Sequence, residues 1–408
     1  MTLPAAGALI LRSHRDAQGK PQSPPATTSD VFAVRLAQAV ELNETGQCDL
    51  ALATLTSIAD AAPSAERRIE ALCLAAEAEL EAAQYAASSS HLVQARGILR
   101  QHADQVDGDV AREEVDFVEW LLRWRTGVAC GFASPSPVVL SRSRAADLSP
   151  DERRRALFVR ASAAYAMQRW EIGDRLGRDA VLRALETLRS LRTIRTREQL
   201  AIMDADVQFL ALCAPPGVAR DRFRRVEEAA ACRGHLRAKL GARAERMACD
   251  VATRSPRRSF VDRVLQPFGS SEQRMMPHTY ARVVRIAAQH EYPGPRALAA
   301  ARLVEGLVPE GSAQALMARC VRVACALRSG RLDEARTLAC AIGNDAKTVG
   351  NQRMRGAAIG YLAEIAFAGH RLREAQEHVR HALQLLEQHG TYESLKRAAA
   401  LARTLKIA

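Results

Sequence analysis

The chain has 408 residues, is 48% hydrophobic but only 4% aromatic, and carries a formal net charge of +12. This length suits one long array or two to three compact domains. A core so poor in aromatics must pack on Ala, Leu and Val, and no sustained period-two run of Val, Ile, Thr and aromatics marks a strand, so an all-α fold is expected.

Residues 1–29, with Gly19, Pro21, Pro24 and Pro25 among Ser and Thr, read as a disordered tail. Met1 to Leu11 lacks the basic leader of a signal peptide. Helices are expected from Asp30, a candidate N-cap. In residues 30–126, Ala51, Leu55 and Ile58 form one helical stripe between Gly46 and Pro63. Ser64 caps a helix through Ala71, Leu74, Ala75 and Ala78, and Leu92, Ala95 and Leu99 mark its partner. Trp120 and Trp124, at i and i+4, would stack a base, clamp a peptide or fill a core. Residues 127–148, with Gly131, Pro135 and Pro137, read as a loop.

Ser149-Pro150-Asp151-Glu152 has the form of a capping box and opens a basic helical middle, 149–252. Its first helix carries Leu157, Ala161, Ala164 and Tyr165. Two further helices are expected, over 176–191 and through Leu200, Met203, Val207 and Leu210, before Pro215-Pro216-Gly217. Residues 253–277, with Pro256, Pro267, Gly269 and Pro277, read as a second loop. Paired helices then run over 278–408, and Thr391 caps a last one.

The strongest organising signal is a repeat. Gly330-Arg331-Leu332-Asp333-Glu334-Ala335 recurs 40 residues on as His370-Arg371-Leu372-Arg373-Glu374-Ala375. Each copy opens a second helix. Its small-residue stripe is Ala335, Ala339 and Ile342 in one copy, and Ala375, Val379 and Ala382 in the other. Gly330 and Gly369 are expected to break the preceding helices. Ala297, Ala301 and Val304, followed by Pro309, repeat the design, as does the stripe at Ala51.

This pattern resembles the tetratricopeptide repeat (TPR) family found in bacterial regulatory and adaptor proteins, although the family's second-helix aromatic is absent from all four copies. The resemblance implies a superhelical solenoid of helical hairpins, with a partner protein or peptide in a concave groove lined by first helices. Carried over residue by residue, the groove residues are Thr279, Arg282, Ile286, Gln289 and His290, then Met317, Cys320, Ala324, Leu327 and Arg328, then Ala357, Gly360, Glu364, Phe367 and Ala368. Arg282 and Arg328 would pair with an acidic side chain or a terminal carboxylate. The alternative is that these residues only touch neighbouring repeats.

The charge is uneven. Residues 142–197 hold 14 Arg against 7 acids, and residues 220–258 hold 11 Arg and one Lys against 5 acids. Arg189, Arg192, Arg195, Arg222, Arg224, Arg225, Arg257 and Arg258 are thus candidate contacts to a phosphate backbone. The chain has 53 Arg and 5 Lys, so a general arginine bias explains the same excess, and few aromatics interleave to stack bases.

The nine cysteines form no C-x2-C pair and suggest reduced thiols in a cytoplasmic protein. No run reaches the ~18 apolar residues of a membrane span. His378 and His381 would reach one metal, but the repeat frame turns them outward. No phosphate-binding Gly-rich loop and no Gly-x-Ser-x-Gly elbow occurs. Neither catalysis nor a cofactor is expected.

Overall fold

A computed structural model describes residues 28–102, 108–127, 152–172, 200, 203–204, 207–208, 210, 216–253, 259–266 and 276–407. Among them the fold is all-helical, with 16 helices and no strand. They are α1 (Thr28–Glu44), α2 (Cys48–Asp60), α3 (Ala65–Glu81), α4 (Tyr85–Gln101), α5 (Gly108–Thr126), α6 (Glu152–Ile172), α7 (Pro216–Cys232) and α8 (Leu236–Thr253). Then come α9 (Phe260–Leu265), α10 (Pro277–His290), α11 (Pro295–Leu307), α12 (Ala313–Arg328), α13 (Leu332–Thr348), α14 (Gln352–Ala368), α15 (Leu372–His389) and α16 (Tyr392–Thr404). No described helix is long and apolar enough to cross a membrane.

The turns recur because one local hydrogen-bond pattern recurs. A residue with positive φ follows α1, α3, α7, α12, α13 and α14: Gly46, Ala83, Gly234, Gly330, Gly350 and His370. The next amide then reaches back to close the helix end. Arg331 N–H donates to the Ala326 carbonyl at 2.9 Å, and Arg371 N–H to the Ala366 carbonyl at 2.8 Å. The residue in the left-handed conformation at the last of these turns is therefore His370, with φ of 58°, rather than Gly369. The 40-residue register holds, with a histidine at the position where its counterpart has glycine. Side-chain caps start other helices: Ser64 accepts from Arg67 N–H, Ser312 from Ala315 N–H, and Thr391 and Ser394 form a reciprocal box.

Consecutive helices pack as hairpins, and alternate helices pack on one another: α1 on α3, α3 on α5, α10 on α12 and α12 on α14. The second helices present narrow buried stripes to these contacts. Ala335, Ala339, Ile342 and Ala346 on α13 are fully buried, as are Ala375, Val379, Ala382 and Leu386 on α15. Small side chains there let the helix axes approach and leave dispersion contacts to hold the pair. By contrast, α10 is buried nearly all round, from Thr279 to Ala288, which makes it a central helix.

Two departures from the sequence reading stand out. Residues 253–277 were expected to be a loop, yet α9 lies within them. Ser259 caps it by accepting from Asp262 N–H, and Phe260 and Val264 bury one turn apart. The density of Pro and Gly around it hid so short a helix. The other departure is that the helices at the two ends of the chain meet: α3 touches α10, and α6 touches α14. Where α5 ends, Gly127 lies against Gly311, and a Cβ on Gly127 would come within 2.6 Å of the Ser312 amide nitrogen. Only glycine permits that approach at its φ of 70°. Trp120 and Trp124 sit in the core cluster of the N-terminal helices, with ring centroids 5.5 Å apart.

The tail 1–27, the cap at Ser149, the loop 128–148 and the helix expected over 176–191 lie outside the described residues, as do Arg189, Arg192, Arg195, Arg257 and Arg258.

Candidate functional site

The inner faces of α8, α10, α12 and α14 surround a cavity of about 520 Å³, which α16 borders on one side. Gln289 and His290 reach it from α10, Met317, Cys320 and Ala324 from α12, and Ala357, Gly360 and Glu364 from α14. All eight belong to the set that the repeat frame assigned to a groove. The others go elsewhere. Ile286 is buried in a core cluster with Val283, Val284 and Ala287, and Leu327 packs against the core of α12 and α13. Arg282 turns toward Asp204 and Glu245, at 3.5 and 4.0 Å. Arg328 is exposed and lies over the Tyr292 ring, 4.0 Å from its centroid, and Phe367 is exposed on α14.

Sequence reasoning missed the cavity's two buried arginines. Arg285 is 4% exposed and Arg353 9%. Arg285 donates through Nη1 to Gln289 Oε1 at 2.6 Å, and its Nη2 lies 3.9 Å from Glu245 Oε1. Its Nε is buried without a hydrogen-bond partner. Burial lowers the pKa of Arg285 in spite of Glu245. Burial, and then the Arg285 charge, push Arg353 down to about 10. His290 is likewise held down to about 4 by burial and by Arg285. Burial raises the Cys320 thiol and the Tyr361 hydroxyl to about 12 each, so both stay protonated. The sequence carries one signal for this: Arg285 interrupts the apolar run Val283-Val284-Arg285-Ile286-Ala287-Ala288, where no exposed face is left for it.

Three of the acids around the cavity are paired. Glu364 pairs with Arg397, which lies over the Tyr361 ring at 4.4 Å. Glu291 accepts from Ser259 Oγ at 2.9 Å and Val261 N–H at 2.8 Å. Glu245 is shared between Arg282 and Arg285. Glu393 is exposed in the first turn of α16.

A second chamber of about 370 Å³ lies where α3, α5, α6, α10 and α12 converge. Glu81 binds Arg125 at 3.0 Å and Arg237 at 3.2 Å. Arg125 also contacts the His278 ring, and Gln314 Nε2 lies 3.3 Å from His278 Nε2. Arg160 pairs with Glu77, and Trp124 Nε1 donates to Glu171 at 2.7 Å. Burial would raise Glu81, but Arg125 and Arg237 outweigh it and hold the carboxyl well below the usual range. Burial, then Arg125, push His278 down to about 3.

On the basic middle, Arg222, Arg224 and Arg225 are exposed on α7, with Arg224 3.8 Å from Glu228. At the other end, His378 lies 3.6 Å from Glu374 and His381 is exposed. Among the described residues no group of three His, Cys, Asp or Glu side chains is placed to hold a metal. Neither a family model nor a curated protein sequence matches the chain.

Proposed function

We propose that this chain is a TPR-like helical solenoid that acts as a scaffold or adaptor rather than an enzyme, and that it takes a segment of a partner protein on its concave side. The observation that carries this reading is the convergence of Gln289, His290, Met317, Cys320, Ala324, Ala357, Gly360 and Glu364 on one cavity. Those residues come from three alternate helices, while the stripe on α13 is consumed in packing. A cavity of this size accepts an anchor side chain with its flanking residues, which is how a few positions come to dominate an interface.

The test is a photo-crosslinking amino acid at Ala324, on the cavity wall, compared with one at Arg373, whose side chain is 95% exposed on the outer face of α15. A partner linked from position 324 alone, and lost when Gly360→Trp fills the cavity in a folded protein, supports the groove. Equal linking from both positions removes it.

A second reading rests on the exposed Arg222, Arg224 and Arg225, which suit a phosphate backbone. A gel shift that weakens steeply with salt and disappears when all three become Glu would favour it.

A further inference from the structure

The side of the cavity formed by α7 and α8 carries a feature that the scaffold reading does not use. The wall there is apolar, with Pro216, Ala219 and Phe223 from α7 and Ala248 from α8. Gln208 lines the same cavity, and its neighbour Val207 packs in one cluster with Ala219 and Phe223. The Gln208 side chain is wholly buried, at 0% exposure. Neither its Oε1 nor its Nε2 has a hydrogen-bond partner within the protein. A buried carboxamide with donor and acceptor both unmet costs the folded state, and leucine would fill a similar volume without that cost.

The charges on the other walls do not call for a counter-ion. Arg285 donates to Gln289 at 2.6 Å and lies 3.9 Å from Glu245, and Glu364 pairs with Arg397. The group left to read a ligand is therefore neutral. A carboxamide is planar and offers a C=O and an N–H side by side. One planar edge that also carries an N–H beside a C=O meets both at once, as in a lactam or a cyclic imide. A trans amide points its two groups in opposite directions, so a single trans amide meets only half of that edge. The remaining wall includes Met317, Val321, Ala324 and Met354, which suit a hydrocarbon ring. The volume of about 520 Å³ is that of a small-molecule site.

We propose that this cavity binds a small neutral lactam or cyclic imide with an apolar ring body, its amide edge paired with the Gln208 carboxamide and its body along the apolar walls. The site goes beyond the scaffold reading. It places a ligand of another class in the same space, so that ligand and a partner segment would exclude each other.

The experiment is titration calorimetry of the full chain with 2-quinolone, 1-methyl-2-quinolone and coumarin. The three share one shape, but the second has a methyl in place of the N–H hydrogen and the third has a ring oxygen in place of the N–H. 2-Quinolone is expected to saturate one site, with the other two weaker by about tenfold or more, as the loss of two modest hydrogen bonds dictates. Gln208→Leu should bring all three probes to one affinity, and Gly360→Trp should abolish binding of each. Circular dichroism checks that the variants fold, and Gln208→Leu should melt no lower than the unaltered protein. The comparison of the three probes on the unaltered chain decides the matter even where a variant fails to fold. The proposal is overturned if 2-quinolone does not bind, if coumarin binds equally, or if Gln208→Leu keeps the preference. It is also overturned if N-acetyl-leucine N′-methylamide, which mimics one extended peptide residue, binds through Gln208 and 2-quinolone does not. Partner crosslinking from position 324 that persists while 2-quinolone fails to bind leaves the scaffold reading standing and removes only this one.

Discussion

The two interior spaces hold the same kinds of charged side chain and use them in opposite ways. In the chamber between α3, α5 and α10, Glu81 lies between Arg125 and Arg237, and Arg160 meets Glu77. Glu81–Arg237 ties α3 to α8, and the Arg125–His278 contact ties α5 to α10, so these charges join the N-terminal helices to later ones. In the cavity lined by α10, α12 and α14, Arg285 and Arg353 are both buried, and burial lowers the pKa of both. A buried pair with good geometry resists disruption, whereas a buried cation with one N–H left without an acceptor, as at Arg285 Nε, is a cost to the folded state. The difference separates a chamber of paired charges from a cavity in which Arg285 keeps one buried N–H without an acceptor.

The largest expected effect is in the chamber. Glu81→Ala leaves Arg125 and Arg237 facing each other and His278, and should destabilise by roughly 3 kcal/mol. Chemical denaturation checks it; a loss under about 0.5 kcal/mol would mean that these pairs hold nothing together. A control from the charge-free seams comes next. Ala375→Leu inserts bulk into the contact of α14 and α15, where Ala375 is fully buried, and should cost on the order of 1–3 kcal/mol by overpacking. An unchanged denaturation midpoint would show that the seam is not tight.

Acid should act on the chamber through His278 and on the cavity through His290. Both are held neutral in the fold, with pKa values pushed down to about 3 and about 4. The unfolded chain, whose histidines titrate near 6.5, therefore binds more protons between that value and the folded one. Stability falls as pH drops from about 6.5 toward 4, by at most ~1.4 kcal/mol per pH unit for each histidine. His278→Asn should flatten that slope in a pH series of melting curves, and an identical slope would remove His278 as its source. The smallest effect is at the repeat turn. His370 holds a left-handed conformation as Gly330 does 40 residues earlier, so His370→Gly should be neutral or stabilise by up to ~1 kcal/mol. A clear loss of stability would mean that the exposed imidazole has a contact of its own.

What the sequence made legible was the seams, because each is written in one helix. Ala375, Val379 and Ala382 recur at helical spacing after a turn, and nothing remote is needed to bury them. Of the fifteen residues that the repeat frame assigned to a groove, eight line the cavity and seven do not. The chamber was not legible. Glu81 and Arg125 are 44 positions apart and Arg125 and His278 are 153 apart, and each reads alone as a surface residue. Arg282 was assigned to the groove for the same reason: a helical frame gives the face but not the distant Asp204 that meets it. Arg285 had its signal in the apolar run around it, but a repeat frame built on apolar positions passes over an arginine.

The contrast between the two spaces is tested most directly by melting Arg285→Met beside Glu81→Ala. Removing Arg285 leaves Glu245 still paired with Arg282 and replaces a buried, poorly partnered cation with an apolar side chain of similar length. Arg285→Met should therefore melt close to the unaltered protein, losing only the bond to Gln289, while Glu81→Ala melts well below it. If Arg285→Met falls as far as Glu81→Ala, the cavity arginine holds the fold as the chamber charges do, and the distinction is wrong.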